Sequence, residues 1–213
     1  LRLWLVDESS KEELIAAAKA GGGGLPVSVK TRIGDTRPDL FAWPTALIEA
    51  APSAITFHLR TRKEMSKVPA HWQWAKELAE RAYGTGVLIL GNGDVSSVPE
   101  ARSLAAENNL DGVMLGRAIY GNPWLFADTN SIGIKNRLEA LIEHIELFAE
   151  LYLEGEINQK LFNGHKKSWA IMKKHFKAYV SDYPGAGDLR QALMGADNPA
   201  EAKALLLAEI GRL

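Results

Sequence analysis

The sequence predicts an α/β fold with a parallel sheet, followed by an all-helical region. Four short apolar runs, at residues 27–30, 55–58, 87–90 and 113–115, recur at about thirty-residue spacing, the length of one strand-plus-helix unit in a barrel of alternating strands and helices. Helix-forming sequence fills each gap between them, and strands that alternate with helices argue for parallel pairing. From about Ile134 onward the texture is helical only.

The elements follow in order. Residues 11–20 are Ala-rich and stop at the glycines of 21–24, and residues 39–51 stop before Pro52. Residues 72–83 stop at Gly84, and residues 99–109 carry proline in the first turn, where its missing N–H costs nothing. Alternation along the strands assigns their faces. Ser28, Lys30 and Arg32 share one side, opposite Val27 and Val29; Thr56, His58 and Arg60 oppose Ile55 and Phe57. Asn92 falls beyond Leu88 and Leu90 on the same parity. Polar groups therefore gather at the carboxyl ends of successive strands, where parallel α/β folds build their sites.

In the helical part, Leu141, Ile145, Phe148 and Tyr152 have the spacing of a buried stripe, and Glu139, Glu143, Glu146, Glu150, Glu154 and Glu156 take the remaining surface. Residues 157–181 reverse the charge, with six lysines, two histidines and no carboxylate. Trp169, Met172, Phe176 and Val180 form an apolar stripe in what reads as one helix ending at Pro184-Gly185, and two shorter helices follow, near 189–194 and 199–210. The change of texture predicts two domains, 1–130 and 131–213, with the boundary near Asn130.

Bulk composition narrows the function. A length of 213 residues with 46% hydrophobic content is enough for a substantial core. A formal net charge of -1 excludes a generally basic nucleic-acid coat, so any such binding must be local. With no cysteine there is no disulfide, thiolate metal site or thiol nucleophile in the chain. No apolar run reaches the roughly 18–20 residues that span a bilayer, no signal-peptide pattern is present, and the expected location is the cytoplasm. No metal-ligand spacing appears, and His71, His144, His165 and His175 lack partners at helical or hairpin separation.

The candidate chemistry lies at the strand ends. The run at 111–117 ends in Gly116-Arg117, where bare backbone N–H groups and a guanidinium can meet a phosphate, and the preceding strand ends in the small-residue turn Gly91-Asn92-Gly93-Asp94. Loops after the last strands of such barrels frequently form phosphate sites. Lys30 suits a Schiff base, a phosphate or a cofactor anion. His58, Arg60 and Arg62, clustered after a strand, carry donors suited to an anion. The lysine-rich stretch sets up a local positive field that suits a phosphate backbone.

These runs, VSVKTRIG at 27–34, ITFHLRTR at 55–62, LGNGD at 90–94 and MLGRA at 114–118 with GNPW at 121–124, resemble the tRNA-dihydrouridine synthase family in order and spacing. WAIMKKHF at 169–176 and DLR at 188–190 resemble its C-terminal domain. The resemblance implies an FMN-containing (β/α)₈ TIM barrel followed by a helical bundle, and an enzyme that uses NADPH to reduce the 5,6 double bond of uridine in tRNA. Carried over, Lys30 contacts the flavin ring and steadies its reduced anion. His58, the backbone of Asn92, Gly93 and Asp94, and Gly116 with Arg117 hold the flavin phosphate. Arg60 and Arg62 lie near the cofactor or RNA entrance, and Lys166, Lys167, Lys173 and Lys174 contact tRNA. The family's first four barrel strands and its catalytic cysteine have no counterpart here, and His-Leu-Arg stands for the commoner His-Gly-Arg. The expectation is therefore the C-terminal half of the barrel plus the helical domain, a fragment without turnover by itself and a monomer when complete, with no membrane or metal partner. Two other classes remain open: a flavin-independent phosphate-binding barrel, such as an aldolase using Lys30 as Schiff-base amine, and a non-catalytic RNA-binding fragment.

Overall fold

The computed structural model describes residues 25–127 and 132–213, together with Ala16 and Ala20. The remainder of the helix expected over 11–20 and the boundary residue Asn130 lie outside the described residues. The chain divides into two compact units, Leu1–Arg117 and Ala118–Leu213.

The first unit carries strands β1 (Ser28–Arg32), β2 (Ala54–His58), β3 (Leu88–Asn92) and β4 (Gly112–Met114), all parallel, in the order β1-β2-β3-β4. Among the described residues the sheet is open, with β1 and β4 outermost. Helices α1 (Ala42–Glu49), α2 (Ala75–Ala82) and α3 (Val98–Glu107) fill the connections. The starts of α1 and α3 have local causes. Asp39 accepts the backbone N–H groups of Phe41, Ala42 and Trp43, so α1 begins three residues later than its sequence pattern suggests. Ser97 accepts the N–H of Glu100 to cap α3, which meets a donor that has no partner inside the helix.

Alternation decides which face is dry. Val29, Ile55, Phe57 and Ile89 pack with Leu47 and Ile48 of α1 and Leu78 of α2, all nearly inaccessible. Each fully buried side chain of this size contributes about 1.5–3 kcal/mol. The opposite face carries Lys30, Arg32, Thr56, His58, Leu90 and Asn92, with Leu88 half exposed.

In the second unit the elements after Gly133 are α4 (Ile134–Ala149), which continues through a π turn (Glu150–Glu154), then α5 (Glu156–Phe162), α6 (Ala170–Tyr179), α7 (Ala186–Gly195) and α8 (Pro199–Ile210). Leu141, Ile145, Phe148, Met172, Phe176 and Val180 of the two expected stripes are buried in one core with Leu189, Leu193 and Leu206. The lysine-bearing stretch is not one helix. Asn163 and Gly164 take left-handed backbone (φ 50° and 72°), which ends α5 and separates it from α6. Gly121 also has positive φ (72°), and a Cβ there would lie 2.2 Å from the Ala178 carbonyl oxygen. This backbone-to-backbone contact ties the segment around 121 to the helices and explains why the unit begins well ahead of Asn130.

Candidate anion and cofactor site

Parallel pairing sets the polar residues of this second sheet face in rows. Arg32, His58, Asn92 and Met114 are partners across β1 to β4, and two residues earlier, on the same face, Lys30 lies in register with Thr56 and Leu90. Asn92 therefore sits inside β3, not in the turn after it. Its Nδ2 donates to the Met114 carbonyl at 2.7 Å and links the ends of β3 and β4.

After this row the backbone turns sharply. Gly93 has φ +138°, and a Cβ on it would come 2.6 Å from Ala70 Cβ and 3.4 Å from the His58 ring. Glycine is required here by both conformation and space. The Gly93 carbonyl accepts from Trp72 Nε1 at 2.9 Å. Gly116 is exposed, with open space where a side chain would be, so its backbone is approachable.

Asp94, with left-handed backbone (φ 57°), is the hub of the charges. One carboxylate oxygen accepts from Arg60 Nη2 and from the Ala70 N–H at 3.0 Å; the other accepts from Arg117 Nη2 at 3.0 Å. These contacts, the Arg60 hydrogen bond first, hold its pKa below the usual carboxylate range. Three donors occupy the carboxylate, so an anion nearby meets backbone here, not the Asp94 side chain. Arg60 lies almost wholly inside, its side chain 4% exposed. It donates Nε to the Val68 carbonyl at 2.6 Å and Nη1 to His58 Nε2 at 3.3 Å. Arg60 therefore lies beside His58, as expected for the cofactor side of the entrance, with its guanidinium turned inward onto internal partners. Arg62 is exposed and paired with exposed Asp35.

The remaining cations create a positive, partly dry neighbourhood. Burial, followed by repulsion from Arg32, Lys30 and Arg60, lowers the His58 pKa to about 4, so the ring is neutral near pH 7. Lys30 is exposed by area, yet its pKa is lowered by loss of solvent and by Arg32. Arg32 donates to the carbonyls of Thr61 and Met65 at 2.9 and 3.2 Å. Arg117, 68% exposed, is the guanidinium of this cluster best placed to take a further partner. Among the described residues, no three His, Asp or Glu side chains converge as a metal site, and no helix is long and apolar enough to cross a membrane.

Residues 4–212 match the family model described as dihydrouridine synthase. The chain belongs to the dihydrouridine synthase family. It is 38% identical over 198 residues to a probable tRNA-dihydrouridine synthase of Staphylococcus aureus (strain MRSA252), with 91% of this chain and 57% of that protein covered. A probable tRNA-dihydrouridine synthase 2 of Bacillus subtilis (strain 168) is 35% identical over the same coverage. The chain thus spans little more than half the length of these relatives.

Within this family member, the structure brings together Lys30, His58, Asn92, Gly93, Asp94 and Arg117 at the strand ends, with Gly116 next to Arg117. The four lysines of the helical unit differ in their surroundings. Lys173 donates Nζ to the Met194 carbonyl at 2.7 Å, in the last turn of α7. Lys167 Nζ lies 5.7 Å from the centre of the Tyr152 ring, and Lys166 and Lys174 are exposed. Sequence reasoning missed the loop at 61–72. There Glu64 accepts the Thr61 N–H at 2.7 Å and contacts His71 Nε2 at 2.9 Å, so His71 has a partner. His144 likewise lies 3.4 Å from the Tyr179 hydroxyl. No spacing announces such contacts, because the loop and the fold create them.

Proposed function

We propose that this chain supplies the cofactor-phosphate end and the tRNA-facing helices of an enzyme that reduces the 5,6 double bond of uridine in tRNA, with FMN as cofactor and NADPH as reductant. Bound FMN supplies the hydride chemistry. The observation that carries this reading is the register of Arg32, His58 and Asn92 across three strand ends, followed by approachable glycine backbone and Arg117, in a chain of this family. The donor set fits a phosphomonoester: a flexible guanidinium, a neutral imidazole N–H and backbone amides. Lys30, two residues back on the same face, offers a cation to the flavin ring. No residue here is assigned as proton donor to uracil, and the chain contains no cysteine.

A uridine must leave its stack to meet a flavin, which requires a second surface to grip the tRNA backbone. The stretch at 157–181, with six lysines and no carboxylate, suits that task. The division is then a cofactor-holding domain and a helical RNA-binding domain within a barrel-plus-helices enzyme.

The test uses the whole gene product, incubated with NADPH and tRNA from cells that lack dihydrouridine. The expected result is a yellow protein that retains FMN and forms dihydrouridine, read by mass spectrometry of tRNA nucleosides. A colourless protein that refuses FMN at saturation overturns the reading. The lowered Lys30 pKa also favours a second reading, a Schiff-base amine. Borohydride with a sugar-phosphate aldehyde labels Lys30 in that case and leaves it unlabelled in the first.

A further inference from the structure

His58 has two ring nitrogens, and the structure distinguishes them. Nε2 faces Arg60 Nη1 at 3.3 Å. A guanidinium has only donors to offer, so Nε2 accepts and the proton of the neutral ring sits on Nδ1. Nδ1 has no hydrogen-bond partner among the described residues and is not sealed from solvent. Arg60 is held for this role on three sides: by Val68 through Nε, by His58 through Nη1 and by Asp94 through Nη2. The same Asp94 carboxylate holds Arg117.

We propose that Asp94 and Arg60 are positioning residues that fix His58 as the Nδ1–H tautomer, so that the ring meets a phosphate with a neutral donor, while Asp94 aims Arg117 at the same anion. This rests on the cofactor-phosphate reading above. The arrangement solves a specific problem. Burial, and then the positive charge of Arg32, Lys30 and Arg60 crowding the imidazole, keeps it uncharged. A neutral ring helps an anion only through its one proton, and a buried arginine on Nε2 keeps that proton on Nδ1, the nitrogen left without an internal partner among the described residues. Carboxylate Asp94 in turn offsets the charges of both arginines, so that neither repels the other out of place. This also explains a carboxylate beside an anion site, where it would otherwise oppose binding.

The experiment has two arms. In the full chain, long-range ¹H–¹⁵N spectra report which His58 nitrogen is protonated. The expected result at neutral pH is a protonated Nδ1 and a bare Nε2, shifting towards Nε2–H in Arg60→Met and in Asp94→Asn. Backbone amide spectra identify which variants remain folded, and Asp94→Asn keeps Arg60 and the shape of the carboxylate should Arg60→Met not fold. In the second arm the whole gene product is titrated with FMN, and Asp94→Asn weakens binding by about tenfold or more, the equivalent of losing one charge-assisted contact. Protonation of wild-type His58 at Nε2, or a tautomer unmoved in a folded variant, overturns the proposal. So does FMN binding equal to wild type in Asp94→Asn. If wild type itself takes up no FMN, the cofactor reading fails, and the tautomer arm still decides the positioning roles.

Discussion

The sheet end and the lysine-bearing helices both concentrate positive charge, but they do so in opposite ways. At the sheet end the charges are few, partly buried and individually fixed: Arg60 is 4% exposed, and Asp94 joins it to Arg117. In the helical unit the charge is spread over several side chains, with Lys166 and Lys174 exposed and Lys173 bonded to a carbonyl at the end of α7. Fixed charges define a geometry and strengthen in a drier setting. Spread charges define a field that tolerates many poses of a polyanion and weakens with salt. The first arrangement suits a small phosphate held in one orientation; the second suits a nucleic-acid backbone.

Removing one member of the fixed set should have the largest consequence. Asp94→Ala leaves Arg60 buried without its carboxylate, and stranding a buried charge costs about 3–5 kcal/mol. Asp94 is itself partly solvated, which places the expected loss at the lower end of that range. Urea unfolding of the folded chain checks it. A loss below about 1 kcal/mol would show that Arg60 finds adequate solvation without Asp94, and would erase the contrast between the two regions.

A smaller effect is expected from pH. The folded-state pKa of His58 is about 4, below the ordinary value near 6.5. The unfolded chain therefore takes up the proton first on acidification. The stabilisation associated with a neutral His58 is complete above about pH 6.5 and is lost progressively as pH falls towards 4. His144 and His175, lowered by burial and, for His175, by the neighbouring His144 and Lys174, contribute with the same sign. The His58 ring signals separate its share. A His58 titration midpoint near 6.5 would remove the partly dry, cation-crowded site from the account.

The sequence carried much of this but not all of it. Four strands with polar residues on one parity were readable because the side-chain period of a strand is two. That alone pointed to Lys30, His58 and Asn92. The helix stripes were readable for the same kind of reason, and Met172, Phe176, Ile145 and Leu141 are all buried. What was not readable depends on contacts between distant residues. Arg60 and Asp94 stand 34 residues apart, and nothing in His-Leu-Arg-Thr-Arg distinguishes the arginine that turns inward from the one that remains in water. The break at 163–164 was also missed, because the lysines read as continuous on either side of a left-handed pair. Asp39 moved a helix start for a reason visible in sequence: a capping carboxylate outside the first turn.

The smallest stability effects should arise among the lysines, and there the two regions can be separated most cleanly. Lys173 meets an orphan carbonyl at the end of α7, so Lys173→Ala should cost roughly 0.5 kcal/mol of stability, whereas Lys174→Ala should leave unfolding unchanged within about 0.5 kcal/mol. On tRNA the expectation differs. Each lysine that neutralises a phosphate contributes a slope of about 0.7–0.9 to the dependence of log affinity on log salt, so Lys166→Ala with Lys174→Ala should flatten it by roughly 1.5. Filter binding of tRNA to the whole gene product across a salt series reads this directly. Asp94→Asn, measured in parallel, should leave that slope unchanged, because its charge acts inside the sheet end. A slope that responds to Asp94→Asn but not to the lysine pair would assign the polyanion surface to the sheet end and leave the helical lysines as a solvated face.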